Sequence, residues 1–345
     1  MNVQFLNLLK CPNCSDGEFH LRSFEAHGEQ VVEGVISCQG CKVWFPILES
    51  VPVISINPIV FEDAVRRVRA KWERTFNFSC NNSITAKMDA PTLELQQKQI
   101  EHFAKEVINY DHEISNTTFW KAVDAETIQT WARNRKDKVD VLFEIGCGGG
   151  RTTIQFLSAG LKVIASDICL EAIIKAIHNI ESMKLNRHNV EFIVAEAENL
   201  PFKSTTFSAV SFAGVLHHVT EPKRVIRELS RILKKEGEIY AYDNNASIFR
   251  FAFDFLMSIS KLWHEQAGTH PQLEAKDIDR WGHEYGIHFT TKSIVFLPPH
   301  LFNLFPFAMA RKCLSITNLF FQSIPFLKRQ GGLIVISGKK GKGES

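Results

Sequence analysis

The spacing of apolar and polar positions divides the chain into a long α/β region and two smaller parts that precede it. From residue 139 to residue 242, short apolar runs of strand type are followed by turns and helical patterns. The clearest helix opens at Pro222, and its apolar residues share one face. These residues are Val225, Ile226, Leu229, Ile232 and Leu233. Strands alternating with amphipathic helices predict an α/β fold whose sheet is covered by helices on both faces.

The N-terminal part carries two pairs of cysteines at a spacing typical of metal ligands. Cys11 and Cys14 form one CxxC pair, Cys38 and Cys41 form the other, and 23 residues separate the pairs. Four thiolates match the tetrahedral preference of Zn²⁺ and leave no open position for catalysis. The residues between the pairs alternate like short strands with too few apolar residues for a core, so we expect metal binding to stabilise this module. Buried or redox-active cysteines are the alternative.

The segment that follows the second pair carries a family resemblance. Residues 43–54 read VWFPILESVPVI, with Ser50 where the related pattern usually has Gly. Over residues 5–56 the chain resembles the small zinc-ribbon family that includes the activator subunit of eukaryotic tRNA and release-factor methyltransferases. The resemblance implies a β-rich zinc-ribbon domain at 1–57, with a structural zinc site and a surface for docking a protein partner or recruiting substrate.

The residues that join this module to the α/β region are predicted to be helical. Residues 60–76 place Arg and Lys among Val and Trp in the manner of a basic amphipathic helix. Such a face is either a solvated surface over the core or a contact for an anionic substrate. Further helices are expected at 92–109 and 119–134, and a polar loop or lid at 77–90. Together these elements predict a helical linker or cap over residues 58–135.

A glycine-rich turn follows the first strand of the α/β region. Residues 139–153 contain Glu144, Gly146 and Gly148 in the order strand, tight turn, helix. Glycines allow the sharp turn and let a ligand lie against the main chain. Asp167 ends the next predicted strand about twenty residues later, where a carboxylate can accept hydrogen bonds from both ribose hydroxyls. NAD and S-adenosylmethionine share these features, so the turn alone does not choose between them.

The next two motifs separate these cofactors. Residues 195–202 read AEAENLPF after the third strand, and residues 215–219 read VLHHV after the fourth. Together with the E-x-G-x-G turn, they resemble the type-11 class I S-adenosylmethionine-dependent methyltransferases over residues 139–242. The resemblance implies a Rossmann-like seven-stranded methyltransferase sheet, with helices on both faces, in a domain spanning 136–345.

The same resemblance implies a cofactor site. In that family the acidic residue at the position of Glu196 and the following amide recognise adenine, and most members have Asp there. The residues expected to form the site are Glu144, Gly146, Gly148, Asp167, Ile168, Glu196, Ala197 and Ala213. Strands at 293–297 and 333–337 are expected to supply the last hairpin of the sheet.

Methyl transfer needs a positioned acceptor and, where that acceptor is protonated, a base. His218 is the candidate base, with Asp243 and His283 as rivals. His217 and His218 follow the fourth strand, near the place where the family holds the methionine part of the cofactor, and a packed or capping role is the alternative for both. Cys147 is interpreted as a small packing residue rather than a nucleophile.

Residues 244–285 occupy the place where this fold usually carries substrate-defining insertions. Residues 248–257 alone contain four of the 27 phenylalanines of the chain. This composition predicts an apolar or aromatic substrate cavity or a hydrophobic docking face, with ordinary core packing as the alternative.

Charge and targeting signals narrow the function classes. Forty Lys and Arg against thirty-eight Asp and Glu give a net charge of +2, which lacks the basic excess of a protein that binds nucleic acid through phosphates. No secretory leader and no apolar run of about 18 residues is visible, so we expect no transmembrane segment and a cytoplasmic protein. Eight cysteines then indicate a reducing compartment.

Three hypotheses follow for the function. The leading one is an S-adenosylmethionine-dependent methyltransferase that acts on a small, hydrophobic metabolite or natural-product intermediate. The second is a methyltransferase of rRNA or tRNA bases that recognises RNA through the zinc ribbon, a reading that the near-neutral charge disfavours. The third is a non-catalytic scaffold that binds S-adenosylmethionine or uses the ribbon to recruit a protein partner.

Overall fold

The structure is a computed structural model that describes residues 1–15, 17–75, 84, 90–110, 116–135, 138–260 and 273–342. The lid expected at 77–90 lies outside these residues, apart from Ile84 and the first residue of a helix. Within the described residues, no helix is both long enough and apolar enough to cross a membrane.

The described strands form two sheets. A small antiparallel sheet of four strands is formed by β1 (Phe19–His27), β2 (Gln30–Cys38), β3 (Trp44–Leu48) and β4 (Val51–Pro52). A larger sheet of seven strands is formed by β5 (Leu142–Ile145), β6 (Val163–Asp167), β7 (Val190–Val194), β8 (Phe207–Ala213), β9 (Leu233–Asn244), β10 (Ile287–Ile294) and β11 (Leu333–Lys340).

Helices connect and cover these strands. Those before the large sheet are α1 (Pro58–Trp72), α2 (Ala90–Tyr110), α3 (Thr118–Glu126) and α4 (Ile128–Arg133). Those within and after it are α5 (Arg151–Ser158), α6 (Leu170–Ser182), α7 (Pro222–Ile232), α8 (Ile248–Ser260), α9 (Ala275–Glu284), α10 (Pro299–Phe302) and α11 (Phe307–Gln322).

The strand order of the large sheet confirms the predicted methyltransferase fold class. The order is β10-β11-β9-β8-β5-β6-β7, and only β11 runs antiparallel to its neighbours. The chain order reverses at β5, which lies between β6 and β8. In open α/β sheets a ligand binds at such a switch point, beyond the carboxyl ends of the strands. The terminal hairpin pairs Ile287 with Lys340 and Ile294 with Leu333, so its first strand lies earlier than the expected 293–297.

The small sheet joins the edge of the large one. Val53 forms a parallel bridge with Val194 at the end of β7, and the N–H of Ile54 donates to the carbonyl of Val194 at 3.0 Å. On the same side, Leu9 bridges Phe202. Val53 and Ile54 are buried, so the N-terminal module covers an edge strand that would otherwise present unpaired backbone groups.

Helix α1 begins where the small sheet ends. Asn57 caps it by accepting the N–H of Ile59 at 2.9 Å, and Pro58 occupies the first turn. On its basic face, Lys71 pairs with the buried Glu33 of β2 at 3.1 Å, and another cation of the face pairs with α6. These pairs favour the interpretation of α1 as a surface helix over the core.

Candidate functional site

A cavity of about 270 Å³ opens at the carboxyl ends of the central strands. Its floor includes Ile145 at the end of β5, Asp167 at the end of β6 and Ala213 at the end of β8. Helices α2 and α3 form one wall through residues such as Phe103 and Trp120, and α8 contributes to the opposite wall. The cavity therefore lies at the switch point of the sheet and under the helices of the predicted cap.

The turn after β5 is built on three glycines with left-handed backbone. Gly146, Gly148 and Gly150 have φ values of +68°, +50° and +88°. A Cβ on Gly146 would come within 2.4 Å of a methyl carbon of Val215, whereas a Cβ on Gly148 would meet no atom within 4 Å. Glycine is therefore required at 146 for packing, while at 148 it leaves open space next to the cavity, where a ligand can approach the main chain.

Asp167 is anchored by the main chain on both of its oxygens. Gly148 donates its N–H to Oδ2 at 2.8 Å, and Cys169 donates its N–H to Oδ1 at 3.0 Å. Burial raises the pKa of Asp167, and these backbone donors oppose that rise. The carboxylate lines the cavity next to Ile168, as expected from the sequence, and is held in one orientation between the glycine turn and the start of α6.

Glu196 connects the cavity with the N-terminal module. Its Oε1 accepts the Ser55 hydroxyl at 2.7 Å and the N–H groups of Ile56 and Asn57, both at 2.9 Å. Burial raises the pKa of Glu196, and these three donors oppose the rise. Glu196 and Ala197 both line the cavity, as expected. The carboxylate predicted to recognise adenine thus also holds the segment that links the small sheet to α1.

Glu144 lies behind the glycine turn rather than in the cavity wall. Its carboxylate accepts the hydroxyls of Thr152, in a short contact, and of Thr153 at 2.6 Å, both in the first turn of α5. Burial raises the pKa of Glu144 to about 7, against the opposing effect of the two hydroxyls. Its position indicates that it fixes α5 against β5 and contributes to the site through the shape of the turn.

His217 and Asp243 form a buried pair at the cavity. Nδ1 of His217 lies 2.5 Å from Oδ1 of Asp243, and both residues line the cavity. Asp243 also accepts the N–H groups of Leu216 at 2.7 Å, Val215 at 3.0 Å and Asn244 at 2.7 Å. Burial alone would raise the pKa of Asp243, but the charge and hydrogen bond of His217, with the backbone donors, bring it below its usual value. The aspartate is therefore an ionised acceptor that orients the imidazole.

The other candidate bases occupy different surroundings. His218 lines the cavity with its ring edge-on to Phe103 of α2, centroids 5.1 Å apart, and its carbonyl accepts the Gln99 amide at 2.7 Å. His283 is exposed on α9, whose contacts are with β10 and α7, and it does not line the cavity. His283 therefore lies outside the cavity in which a base would act. Sequence spacing could not distinguish His217 from His218. The residue that orients one of the two rings, Asp243, lies on β9, 26 residues from His217.

A second buried network was not expected from the sequence. Arg151 donates to both carboxylate oxygens of Asp124 at 2.6 Å and to the hydroxyl of Tyr242 at 2.7 Å. The guanidinium lies 4.9 Å from the ring centroid of Trp120. These contacts tie α3, α5 and β9 together along the cavity wall. No local motif signals the network, because its members come from three separate parts of the chain.

The four predicted metal ligands meet in the N-terminal module. The sulfur atoms of Cys11, Cys14, Cys38 and Cys41 all lie within 4.8 Å of one another. The Cys11 and Cys41 sulfurs are 3.7 Å apart, and those of Cys14 and Cys38 are 3.5 Å apart. Tetrahedral zinc with Zn–S bonds of about 2.3 Å places its sulfurs about 3.8 Å apart. The donor set and its spacing are therefore compatible with zinc.

Comparison with known proteins gives a match over the central part of the chain. Residues 143–241 match a family model described as a methyltransferase domain. An uncharacterized protein of Methanocaldococcus jannaschii, MJ1252, is 34% identical over 140 residues, which cover 40% of this chain and 48% of that protein. The ubiquinone biosynthesis O-methyltransferase of Xanthomonas oryzae pv. oryzae is 30% identical over 113 residues, which cover 32% of this chain and 46% of that enzyme. The chain thus spans about half the length of these curated relatives.

Among solved structures, the YcgJ protein from Bacillus subtilis superposes with a TM-score of 0.44 and 17% sequence identity. The superposition covers 63% of this chain and 99% of that protein.

Proposed function

We propose that the chain is a class I S-adenosylmethionine-dependent methyltransferase whose cavity methylates a hydroxyl group on a small hydrophobic molecule. The match of residues 143–241 to the methyltransferase-domain family supports the class of reaction. The observation that carries the proposal is the His217–Asp243 pair, a histidine oriented by an ionised carboxylate at the wall of an apolar cavity. The similarity to a ubiquinone biosynthesis O-methyltransferase supports a hydroxyl on an apolar ring as the class of acceptor.

The cofactor end of the cavity is the glycine turn with Asp167 and Glu196. The open space beside Gly148 fits a ligand that lies against the main chain, and the anchored carboxylate of Asp167 suits a pair of ribose hydroxyls. Glu196 and the amide of Ala197 would face the adenine ring of the cofactor. S-adenosylmethionine bound there supplies an electrophilic methyl group on a positively charged sulfur. Under this proposal Glu144 does not line the cofactor site and contributes to it by fixing the glycine turn.

His217 is the proposed base. In its neutral form, with Nδ1–H donated to Asp243, the imidazole of His217 would have Nε2 as its proton acceptor. The proton of the acceptor hydroxyl would pass to this Nε2 as the oxygen is methylated. Asp243 holds the ring in one tautomer and stabilises the imidazolium that forms.

The walls of the cavity have two roles in this proposal. Phe103, Phe119, Trp120 and Phe253 present rings or ring edges that suit an apolar acceptor. The same groups would exclude water from the reacting atoms and would hold the acceptor in line for transfer. His218 packs on Phe103 and is assigned to the wall rather than to proton transfer.

We also propose that the four N-terminal cysteines hold one structural zinc ion. Without a cation, burial raises the pKa of the Cys11 and Cys38 thiols, so a bound metal would be needed to keep the sulfurs ionised. With all four positions filled by sulfur, the site would have no coordination place for a substrate. Its role would be to fold the module that supports Glu196.

The test of the proposed activity uses the full chain, labelled S-adenosylmethionine and a panel of apolar catechols and phenols. His217→Asn should lower the methylation rate about 10²-fold to 10⁴-fold and leave the affinity for S-adenosylhomocysteine, measured by calorimetry, within about twofold. His283→Asn is the matched control, because this histidine is exposed on α9, and it should keep the wild-type rate. A His217→Asn variant with an unchanged rate would contradict the assignment of the base.

A further inference from the structure

Helix α11 has an outer face that is apolar rather than polar. Met309, Ile316, Leu319 and Phe320 recur at helical spacing and are each between 55% and 66% exposed. The inner face of the helix is buried against the body of the protein, for example through Leu314. Surface helices of globular proteins normally carry charged or polar residues outward, so four large apolar side chains in this position are typical of an interaction surface.

The apolar surface extends beyond α11. Ile248 and Phe251, one turn apart on the outer side of α8, are 70% and 60% exposed. Helices α8 and α11 adjoin, because the ring of Phe249 packs on Phe321 with centroids 5.5 Å apart. Leu304 and Phe326, which flank α11, are 76% and 77% exposed. We call these eight residues the apolar face: Ile248, Phe251, Leu304, Met309, Ile316, Leu319, Phe320 and Phe326.

Positive charge accompanies this face. Between Glu284 and Glu344 the sequence contains no acidic residue and eight Lys or Arg, although the whole chain carries a net charge of only +2. Lys312 lies on the exposed side of α11, and Lys328 and Arg329 are exposed just after Phe326. Large apolar side chains next to exposed cations match the interface of an anionic bilayer, where apolar groups enter the acyl boundary and cations meet lipid phosphates.

Helix α8 also forms part of the wall of the cavity, and α10, which precedes α11, contributes to it. Phe253 lies on the inner side of α8 and lines the cavity, as do Val295 and Pro299, which precede and begin α10. A hydrophobic acceptor dissolved in a bilayer at this face would therefore lie on the other side of α8 from the cavity. This step rests on the proposed function, whereas the chemistry of the apolar face does not.

We propose that the apolar face docks on the surface of an anionic lipid bilayer, and that the enzyme takes its acceptor from the membrane. A second copy of the chain fits the face less well. A two-fold contact would place two faces that each carry the exposed cations Lys312, Lys328 and Arg329 against each other, and residues 285–343 contain no acidic residue to pair with them.

Co-sedimentation with vesicles tests the proposal. The full chain should bind vesicles of equal parts phosphatidylcholine and phosphatidylglycerol, bind vesicles of phosphatidylcholine alone more weakly, and be released in part by high salt. Replacing both Leu319→Glu and Phe320→Glu should lower partition to the mixed vesicles by about tenfold or more. Met183→Glu is the matched control, since Met183 is 56% exposed beyond α6, at the opposite end of the sheet.

The following results would overturn the membrane proposal or replace the test. Wild-type protein that ignores the mixed vesicles, or a double variant that binds them like wild type, overturns the proposal. A wild-type dimer that becomes a monomer in the double variant, without vesicle binding, assigns the face to contact between copies and also overturns it. If the double variant does not fold, the pair Lys328→Glu and Arg329→Glu replaces it and should abolish the preference for the mixed vesicles. S-adenosylhomocysteine binding, measured in the same samples, separates failure of the proposed function from failure of the membrane proposal. Wild-type protein that does not bind S-adenosylhomocysteine would contradict the proposed function, and the vesicle result would still stand.

Discussion

The carboxylate of Glu196 accepts the N–H of Asn57 at 2.9 Å, so a side chain in the cavity wall rests on the residue that caps α1. The hydroxyl of Ser55 and the N–H of Ile56 reach the same oxygen. The segment that ends the N-terminal module is therefore part of the support of the cavity. Damage to the module should therefore weaken ligand binding at the proposed cofactor end of the site.

Removal of the Glu196 carboxylate should destabilise this junction. In Glu196→Ala, two backbone N–H groups and one hydroxyl lose their buried acceptor, and we expect the free energy of unfolding to fall by about 3 kcal/mol. Glu196→Gln should recover part of the loss, because its amide oxygen still accepts hydrogen bonds. Urea unfolding measures both, with Glu62→Ala on the exposed side of α1 as the control. Equal stability of Glu196→Ala and Glu62→Ala would contradict the described contacts.

The cysteine cluster should couple to the cavity through the same junction. Cys14→Ser or Cys38→Ser should reduce bound zinc, measured by atomic absorption, from one ion per chain to nearly none, and should weaken S-adenosylhomocysteine binding as the support of Glu196 loosens. Cys313→Ser on α11 is the matched control and should keep both properties. Unchanged zinc content in both variants would exclude the proposed site. Loss of zinc with unchanged ligand affinity would exclude the coupling.

The raised pKa of Glu144 predicts a pH dependence of stability. Its pKa in the folded protein is about 7, against 4.5 for an unperturbed glutamate. As pH rises through this window, the unfolded chain releases the proton while the folded protein keeps it. The free energy of unfolding should therefore be highest below about pH 4.5 for this group and fall by at most about 3 kcal/mol by pH 7.

Glu144→Gln isolates the contribution of this carboxyl. The variant lacks the titrating group, so its free energy of unfolding should decrease less between about pH 4.5 and pH 7 than that of wild type. Urea unfolding at several pH values measures the two slopes, and Glu62→Gln should keep the wild-type slope because that glutamate is exposed. Coincident slopes for wild type and Glu144→Gln would show that burial does not raise this pKa.

Local chemistry explains why much of the fold was predictable. The turn at Gly146 and Gly148 needs left-handed backbone, which leaves a clear signal in the residue types, and buried parallel strands read as continuous apolar runs. Asp167 is the last residue of β6, so its place at the carboxyl edge of the sheet follows from the strand itself. The spacing of the four cysteines alone predicted that their sulfur atoms meet in one cluster.

Orientation of side chains was less predictable, because it depends on distant partners. Glu144 and Ile145 are neighbours on one strand with side chains on opposite faces, and only the position of α5 decides that the carboxylate faces Thr153. His217 and His218 differ through Asp243, which reaches them from β9. For residues 248–257 the sequence left a substrate cavity and a docking face open, and the exposed apolar side chains of α11 were not expected. A Phe-rich helix has the same composition whether its phenylalanines face inward or outward.

Gly146 and Gly148 allow packing and ligand access to be separated. In Gly146→Ala the new methyl would lie 2.4 Å from a methyl carbon of Val215, and the left-handed φ of +68° adds strain. We expect a loss of stability of about 2–3 kcal/mol and weak ligand binding. Val215→Ala in the same chain should restore part of the stability, because it removes the clash and leaves only the backbone strain.

Gly148→Ala should lower ligand affinity more than it lowers stability. Its methyl would meet no protein atom within 4 Å, so stability should fall only by the cost of the left-handed φ of +50°, about 1 kcal/mol. The methyl would stand in the open space beside the cavity, where the cofactor is proposed to lie against the main chain, and S-adenosylhomocysteine affinity should drop at least tenfold. Calorimetry and thermal unfolding of the two alanine variants give both quantities. Wild-type affinity in Gly148→Ala would mean that the ligand does not approach this turn, and the proposed cofactor site would have to be abandoned.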